Sequence, residues 1–226
     1  MTGSPLLNQR AIFGGTFDPV HRGHLVAAEE VRDALGIEDF RFLPAGEPPH
    51  REGTHADAGQ RLAMLRLALV EREGFSIDER ELRRAGPSWM SDTLASLRRE
   101  YPADALLLVL GQDALNGLDR WHEWRRIPKL AHLVVMTRPG EHPDYGEALA
   151  RELASRRVDD PAALRERPAG RLLSLAVTPL AISSTAIRES IGDPAALRRL
   201  LPRSVADHIE REGLYRRAVA ARDADL

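Results

Sequence analysis

Six short apolar runs alternate with helical patterns along the chain. The runs cover residues 11–13, 40–43, 75–77, 105–110, 133–136 and 172–177. Strands that alternate with helices favour a parallel sheet, because each crossover returns the chain to the same end of the sheet. The unbroken run at 105–110 is typical of a central strand that is covered on both faces. We therefore predict an α/β fold, a doubly wound parallel sheet of about six strands with helices on both faces.

The predicted helices complete this Rossmann-like arrangement. They cover residues 25–35, 61–70, a segment that ends at 99, 145–157, and a helix that begins within 182–188. The helix at 61–70 has a buried stripe of Leu62, Leu65 and Leu69, and the one that ends at 99 is capped by Ser91 or Asp92. Asp193 caps the next helix with Pro194 at its first position, and Pro202 starts another that runs to Gly213. The length favours one domain, residues 1–226, with 141–170 as a peripheral excursion and 193–215 as a small C-terminal helical segment.

Composition excludes several classes of partner and chemistry. The 32 basic and 34 acidic residues give no global field toward nucleic acid or anionic membranes, so any phosphate affinity is local. The absence of cysteine removes disulfide and thiolate chemistry. No basic start with an apolar core opens the chain, and no run reaches the ~18 apolar residues of a membrane span. We expect a soluble, cytoplasmic protein without nucleic-acid or membrane partners, and base rates allow a homo-oligomer.

The stretch from Ala11 to Leu25 combines a short strand, a glycine pair and a helix start. Gly14 and Gly15 let the backbone approach an anion closely, and the helix start adds free N–H groups and the positive end of the helix dipole. Phosphate suits such a turn best. His21 and His24 fall three residues apart on one face of the first helical turn.

Two other phosphate-binding devices are excluded. A Walker loop needs a lysine after its glycines, and the single lysine, Lys129, is far from any glycine-rich loop. The dinucleotide fingerprint is also absent, because Gly14-Gly15 is followed by Gly23 at the wrong spacing. Hydride chemistry therefore loses its main support in the sequence.

The histidine pair has three interpretations: buried structural residues, a metal site with only Asp18 nearby, or phosphate electrostatics. The helix dipole disfavours an imidazolium by ~0.3–1 kcal/mol. A phosphate charge at ~4 Å favours it by about 4 kcal/mol at an effective dielectric of 20. The phosphate term prevails once an anion is bound.

A second candidate anion-binding motif lies at the start of the helix near residue 184. Ile182, Ser183, Ser184 and Thr185 precede Arg188 by about one turn. The hydroxyls are equally well explained as ordinary helix caps. Arg188 favours an anion, because each charge-assisted hydrogen bond contributes roughly 1.5–3 kcal/mol. Two such helix starts at strand ends suit a polyphosphate.

These two motifs resemble the paired motifs of the nucleotidyltransferases that carry His-x-Gly-His. Further matches resemble bacterial nicotinate-nucleotide adenylyltransferases and span nearly the whole chain. They are Pro48-Pro49-His50-Arg51, Pro87-Ser88-Trp89, Asp92-Thr93-Leu94, Gly111-Gln112-Asp113, Trp121, Arg138-Pro139-Gly140 and Gly213-Leu214-Tyr215.

The resemblance implies transfer of AMP from ATP, with Mg²⁺, to nicotinate mononucleotide. It implies catalytic roles for His21, His24 and Arg188. The implied ATP-binding residues are Gly14, Gly15, Thr16, Phe17, Gly111, Asp113, Ile182, Ser183, Ser184 and Thr185. The implied mononucleotide-binding residues are Asp18, His50, Arg51, Met90, Trp121, His122 and Arg138. Trp121 would stack on the pyridine ring, and backbone N–H groups near Met90 and His122 would receive the carboxylate.

Direct in-line attack of the mononucleotide phosphate on the α-phosphorus of ATP is the mechanism that we expect, because a phosphate is already ionised near neutral pH. The rival mechanism forms an adenylyl-histidine at His21. Two alternative functions stay open: a phosphopantetheine adenylyltransferase with the same paired motifs, and a nucleotide-binding sensor without turnover.

Overall fold

The computed structural model describes residues 6–47 and 54–216. In this part of the chain seven strands form a single sheet. They are β1 (Gln9–Gly15), β2 (Asp39–Pro44), β3 (Phe75–Ile77), β4 (Ala105–Gly111), β5 (His132–Thr137), β6 (Arg157–Val158) and β7 (Leu172–Ala176). Every neighbouring pair is parallel, and the order is β3-β2-β1-β4-β5-β7-β6. The predicted α/β fold is confirmed, with one strand more than expected.

Ten α-helices connect and cover these strands in the described residues. They are α1 (Arg22–Leu35), α2 (Ala58–Leu69), α3 (Arg80–Arg83), α4 (Met90–Glu100), α5 (Gln112–Asn116), α6 (Ile127–Leu130), α7 (Glu147–Ala154), α8 (Ser184–Glu189), α9 (Pro194–Leu200) and α10 (Arg203–Glu212). Short 3₁₀ turns occupy Leu118–Arg120, Trp124–Arg126 and Pro161–Arg165. None of the described helices has the length and apolar character that crossing a membrane requires.

The strand order reverses between β1 and β4. The chain runs outward from β1 to β2 and β3, then returns to the opposite side of β1 as β4. In doubly wound sheets ligands bind in the crevice beyond the carboxyl ends of the strands at such a reversal. The glycines that end β1 and Gly111 at the end of β4 therefore lie at the expected ligand position.

Two hydrophobic cores cover the two faces of the sheet. Along β4, Leu107 and Val109 join one core while Leu106, Leu108 and Leu110 join the other, and all five are at most 4% exposed. Helices α1, α2, α9 and α10 cover the first face, and α4, α6 and α7 cover the second. The prediction of a central, doubly covered strand is confirmed.

Several element boundaries differ from the predictions. Helix α4 begins at Met90 with Trp89 in the cap position, so the predicted caps Ser91 and Asp92 are wrong. The hydroxyl of Ser91 is buried inside the first turn and has no hydrogen-bond partner among the residues that the structure describes. The helix predicted at 145–157 ends at Ala154, because Arg157 and Val158 pair with β7 as the added edge strand. Two residues with one charge carry no recognisable strand pattern.

The predicted C-terminal caps are confirmed. The carboxylate of Asp193 accepts hydrogen bonds from Ala195 N and Ala196 N, and Pro194 is the first residue of α9. Helix α10 ends at Gly213, whose φ of 64° is the left-handed conformation that favours glycine at this position.

Candidate active site

The glycine loop, residues 14–17, leaves the carboxyl end of β1. A Cβ atom on Gly14 would lie 2.8 Å from Cε of Met90, and one on Gly15 would lie 2.9 Å from the ring of Phe17. A side chain at either position would have to displace Met90 or the Phe17 ring. The two glycines therefore let Met90 and Phe17 pack directly against the backbone of the loop.

His21 and His24 stand at the first turn of α1 with their rings stacked. The ring centroids are 3.7 Å apart, with 21° between the ring planes. His21 N donates to Nδ1 of His24 at 3.3 Å, so a neutral His24 carries its proton on Nε2. Between them, a Cβ on Gly23 would lie 3.1 Å from the His21 ring, so a side chain at this position would push against the imidazole. Ile182, in the segment before α8, lies within ordinary van der Waals distance of the same point, at 3.6 Å.

Burial keeps both histidines neutral in the free protein. It lowers the pKa of His21 to about 4, and the charge of Arg138 adds to the effect. The pKa of His24 is also lowered, first by burial and then by His21 and Arg138. His24 is half-buried and His21 is buried at 5% exposure. The predicted residue Arg138, although exposed, thus lies close enough to act electrostatically on the pair.

The start of α8 is joined to the loop that precedes α1. Ser184 Oγ donates to the carbonyl oxygen of Pro19 at 3.0 Å, and Nη1 of Arg188 donates to that of Asp18 at 2.7 Å. Nη2 of Arg188 donates to Oγ1 of Thr185 at 3.1 Å. The two predicted anion-binding motifs, at the starts of α1 and α8, therefore lie next to each other.

Ser183 also has a structural role at this helix start. Its hydroxyl accepts a hydrogen bond from Ala186 N at 3.1 Å, which is the ordinary capping contact. The hydroxyls of Ser183 and Thr185 therefore both have partners within this helix, Ala186 N and the Arg188 guanidinium.

The carboxylate of Asp18 points into the protein. It accepts hydrogen bonds from His55 N at 2.8 Å, Ala56 N at 3.1 Å and the hydroxyl of Tyr215 at 2.9 Å, and the residue is 3% exposed. Asp18 was expected to contact the mononucleotide, whereas its visible contacts fix the loop between Phe17 and His21. Tyr215 brings the C-terminal end of the described chain into this arrangement.

A cleft of about 290 Å³ opens beside the glycine loop. Six of its lining residues were predicted for the site: Gly14, Gly15, Thr16, Met90, Trp121 and His122. The others were not: Leu43, Ala45, Glu81, Ser88, Trp89, Leu108 and Ala114. The predicted residues His50 and Arg51 lie outside the described part of the chain.

Aromatic side chains and a buried carboxyl group line the cleft. The rings of Trp89 and His122 lie 4.7 Å apart, which suits a flat aromatic ligand nearby. Glu81 is 3% exposed and accepts a hydrogen bond from Oγ1 of Thr93 at 2.6 Å, and burial raises its pKa. The Pro-Ser-Trp motif could have identified Ser88 and Trp89. Glu81 carried no signal, because charged segments are usually solvated.

Gly111 and Asp113 follow β4 at the crevice between β4 and β1. β4 pairs with β1 up to Phe13 and Val109, so Gly111 lies just beyond the last paired residues. A Cβ on Gly111 would lie 2.6 Å from Oδ1 of Asp113, so the exposed carboxylate folds back over the glycine. Both residues are therefore at the strand end where a nucleotide would approach.

Comparisons with known proteins identify relatives of this chain. The sequence profile of the cytidylyltransferase-like family matches residues 12–190. A protein of Methylococcus capsulatus named "probable nicotinate-nucleotide adenylyltransferase" is 48% identical over 205 residues, which cover 90% of this chain and 98% of that relative. A protein of the same name from Aeromonas hydrophila is 47% identical over 207 residues, which cover 92% and 97% of the two chains.

A solved structure shares the fold. Plasmodium falciparum nicotinic acid mononucleotide adenylyltransferase, complexed with NaAD, matches with a TM-score of 0.70 at 16% identity, over 92% of this chain and 97% of that one. The same protein complexed with APC matches with a TM-score of 0.68 at 15% identity. At such low identity these two structures support the fold alone.

Proposed function

Because the chain belongs to the cytidylyltransferase-like family, and within it to the nicotinate-nucleotide adenylyltransferases, we propose that it transfers AMP from ATP to nicotinate mononucleotide. The products are deamido-NAD and pyrophosphate, so the reaction is a step of NAD biosynthesis. We propose that this reaction takes place in the cytoplasm.

One observation carries the proposal: two elements suited to phosphate meet at one loop. The glycine loop precedes residues 18 and 19 and the stacked pair His21 and His24 follows them. Arg188 and Ser184 donate to the carbonyl oxygens of those two residues. A triphosphate has several anionic groups in a row, so it can contact both sides at once.

The proposed chemistry is a direct in-line displacement. An oxygen of the mononucleotide phosphate forms a bond to the α-phosphorus of ATP, and the bond from that phosphorus to the bridging oxygen of the β-phosphate breaks, so pyrophosphate leaves with the electron pair. The acceptor phosphate is already ionised near neutral pH, so catalysis can rest on positioning and charge stabilisation. His21 and His24 stabilise charge on the α-phosphate, and Arg188 assists the departing pyrophosphate.

The acceptor fits the aromatic cleft. Trp121 and His122 line it together with Met90, the first residue of α4. Stacking of the pyridine ring on Trp121 would place the acceptor phosphate toward the glycine loop, which lines the same cleft.

Mg²⁺ enters this scheme as part of the ATP substrate. No group of three or more potential ligand side chains that could hold a metal ion occurs in residues 6–47 and 54–216. The phosphate oxygens of ATP are themselves good ligands for Mg²⁺, which keeps several waters when bound. We propose that the ion arrives with the nucleotide and neutralises part of its charge.

The test is release of pyrophosphate from Mg²⁺–ATP in the presence of nicotinate mononucleotide, nicotinamide mononucleotide or phosphopantetheine. We expect the fastest release with nicotinate mononucleotide. Preference for phosphopantetheine, or no release with any acceptor, would contradict the proposal. Label from ATP trapped on the protein without an acceptor would replace the in-line mechanism by an adenylyl-histidine.

A further inference from the structure

Arg61 is the largest fully buried side chain in the described residues, although it is charged. It stands in the first turns of α2 at 1% exposure. Arginine is almost never fully buried unless it is paired, so this position calls for a specific role. Burial lowers the pKa of the guanidinium, and the carboxylates of Asp18 and Asp57 oppose this effect.

The guanidinium binds backbone carbonyl groups of two loops. Nη1 donates to the carbonyl oxygens of Thr16 and Ala45, both at 2.8 Å, and Nη2 donates to that of Gly46 at 3.0 Å. Thr16 belongs to the glycine loop, and Ala45 and Gly46 follow β2. Arg61 therefore joins the glycine loop to the loop that leaves the neighbouring strand.

These contacts lie where β1 and β2 diverge. The last bond of the ladder runs from Ala45 N to the carbonyl oxygen of Gly15 at 3.0 Å. In a regular parallel ladder the next bond would join the N–H of Phe17 to the carbonyl oxygen of Ala45. Arg61 occupies that carbonyl instead, and Phe17 adopts a φ of 51°, which turns the chain out of the sheet.

Holding the carbonyls fixes the N–H groups of the glycine loop. In a trans peptide the carbonyl and the following N–H point in opposite directions. The carbonyl of Gly15 is held by Ala45 and that of Thr16 by Arg61, so the N–H groups of Thr16 and Phe17 point away from those partners. Within the described residues neither N–H group has a hydrogen-bond partner, and Thr16 lines the cleft.

We propose that Arg61 is a positioning residue for adenylyl transfer. It holds the backbone carbonyl groups at the point where β1 and β2 diverge, so that the N–H groups of Thr16 and Phe17 face the phosphates of ATP. This inference rests on the proposed function. A lysine cannot replace it, because a single ammonium group lacks the planar fork that reaches three carbonyls in two loops.

The experiment compares Arg61→Lys with Arg66→Lys, a matched change on the same helix at a side chain that is 60% exposed. For Arg61→Lys we expect kcat/KM for Mg²⁺–ATP to fall by ~10–100-fold, because displacement by about 1 Å can cost that much. KM for nicotinate mononucleotide should stay unchanged. Arg66→Lys should match the wild type in both constants.

Each outcome decides the matter. A folded Arg61→Lys variant with wild-type constants for ATP would overturn the inference. A fall in kcat alone that matches a loss of folded protein would also overturn it, as would a failure of the variant to fold, because both results would show that Arg61 serves stability. If the wild type releases no pyrophosphate, the proposed function fails. If the wild type turns over normally, only the role of Arg61 is in question.

Discussion

Binding of ATP is expected to bring a proton onto His21. The free protein keeps this imidazole neutral, because burial lowers its pKa to about 4. The decrease from the ordinary histidine pKa of 6.5 corresponds to about 3 kcal/mol against the imidazolium. A phosphate charge at ~4 Å favours the imidazolium by about 4 kcal/mol at an effective dielectric of 20. The attraction exceeds the cost, so the complex should hold the charged form below neutral pH.

Calorimetry can count this proton. Heats of Mg²⁺–ATP binding measured near pH 6 in two buffers of different ionisation enthalpy give the number of protons taken up. ATP has its own titrating phosphate, so the informative quantity is the difference between the wild type and His21→Gln. We expect the wild type to take up close to one proton more than the variant, and this difference should disappear well above neutral pH.

Equal proton uptake by the wild type and His21→Gln would refute this reasoning, because it would show that His21 stays neutral beside the phosphates. The same variant separates binding from catalysis. A residue that stabilises charge developing on the α-phosphate should lower kcat far more than the affinity for ATP. An unchanged kcat would remove His21 from the proposed mechanism.

Three further predictions concern stability and the acceptor site. Tyr215→Phe removes one of three hydrogen bonds to the buried carboxylate of Asp18 and should lower the free energy of unfolding by ~1.5–3 kcal/mol in urea titrations, whereas a loss near zero would contradict the role of Tyr215. Nδ1 of His132 accepts a hydrogen bond from Arg171 N, and burial lowers the pKa of this histidine to about 4. The unfolded chain therefore binds more protons below pH 6.5, so the free energy of unfolding should fall as the pH decreases from 6.5 to 4. A pKa of His132 near 6.5 by NMR would contradict this. Trp121→Ala should raise KM for nicotinate mononucleotide roughly 10-fold and leave that for ATP unchanged in steady-state kinetics; equal effects on both substrates would argue against stacking.

The features that are local in sequence were predictable. The glycine pair, the spacing of His21 and His24, and the cap at Asp193 each follow from a few adjacent residues. The parallel sheet followed from alternation along the chain. In each case neighbours in sequence, or the simple period of an element, determine the structure.

Features that depend on distant partners were not predictable. Arg61 stands in a helical pattern whose buried stripe was assigned to Leu62, Leu65 and Leu69, yet Leu62 is only partly buried and Arg61 is fully buried. An arginine in such a pattern is typical of a solvated helix face. Its burial is explained only by the backbone carbonyl groups that it binds where β1 and β2 diverge. Glu81 and the edge strand at Arg157 were missed for the same reason.

The loop that connects β1 to α1 therefore takes its shape from three remote parts of the chain. Arg61 of α2 holds its beginning at Thr16, Arg188 and Ser184 of α8 hold Asp18 and Pro19, and Tyr215 fixes the Asp18 carboxylate. Backbone donors can stabilise developing charge only if they are held in place before the reaction. The short motif at residues 14–24 is thus insufficient for the site, because its backbone is held in place by side chains of α2, α8 and the C-terminal Tyr215.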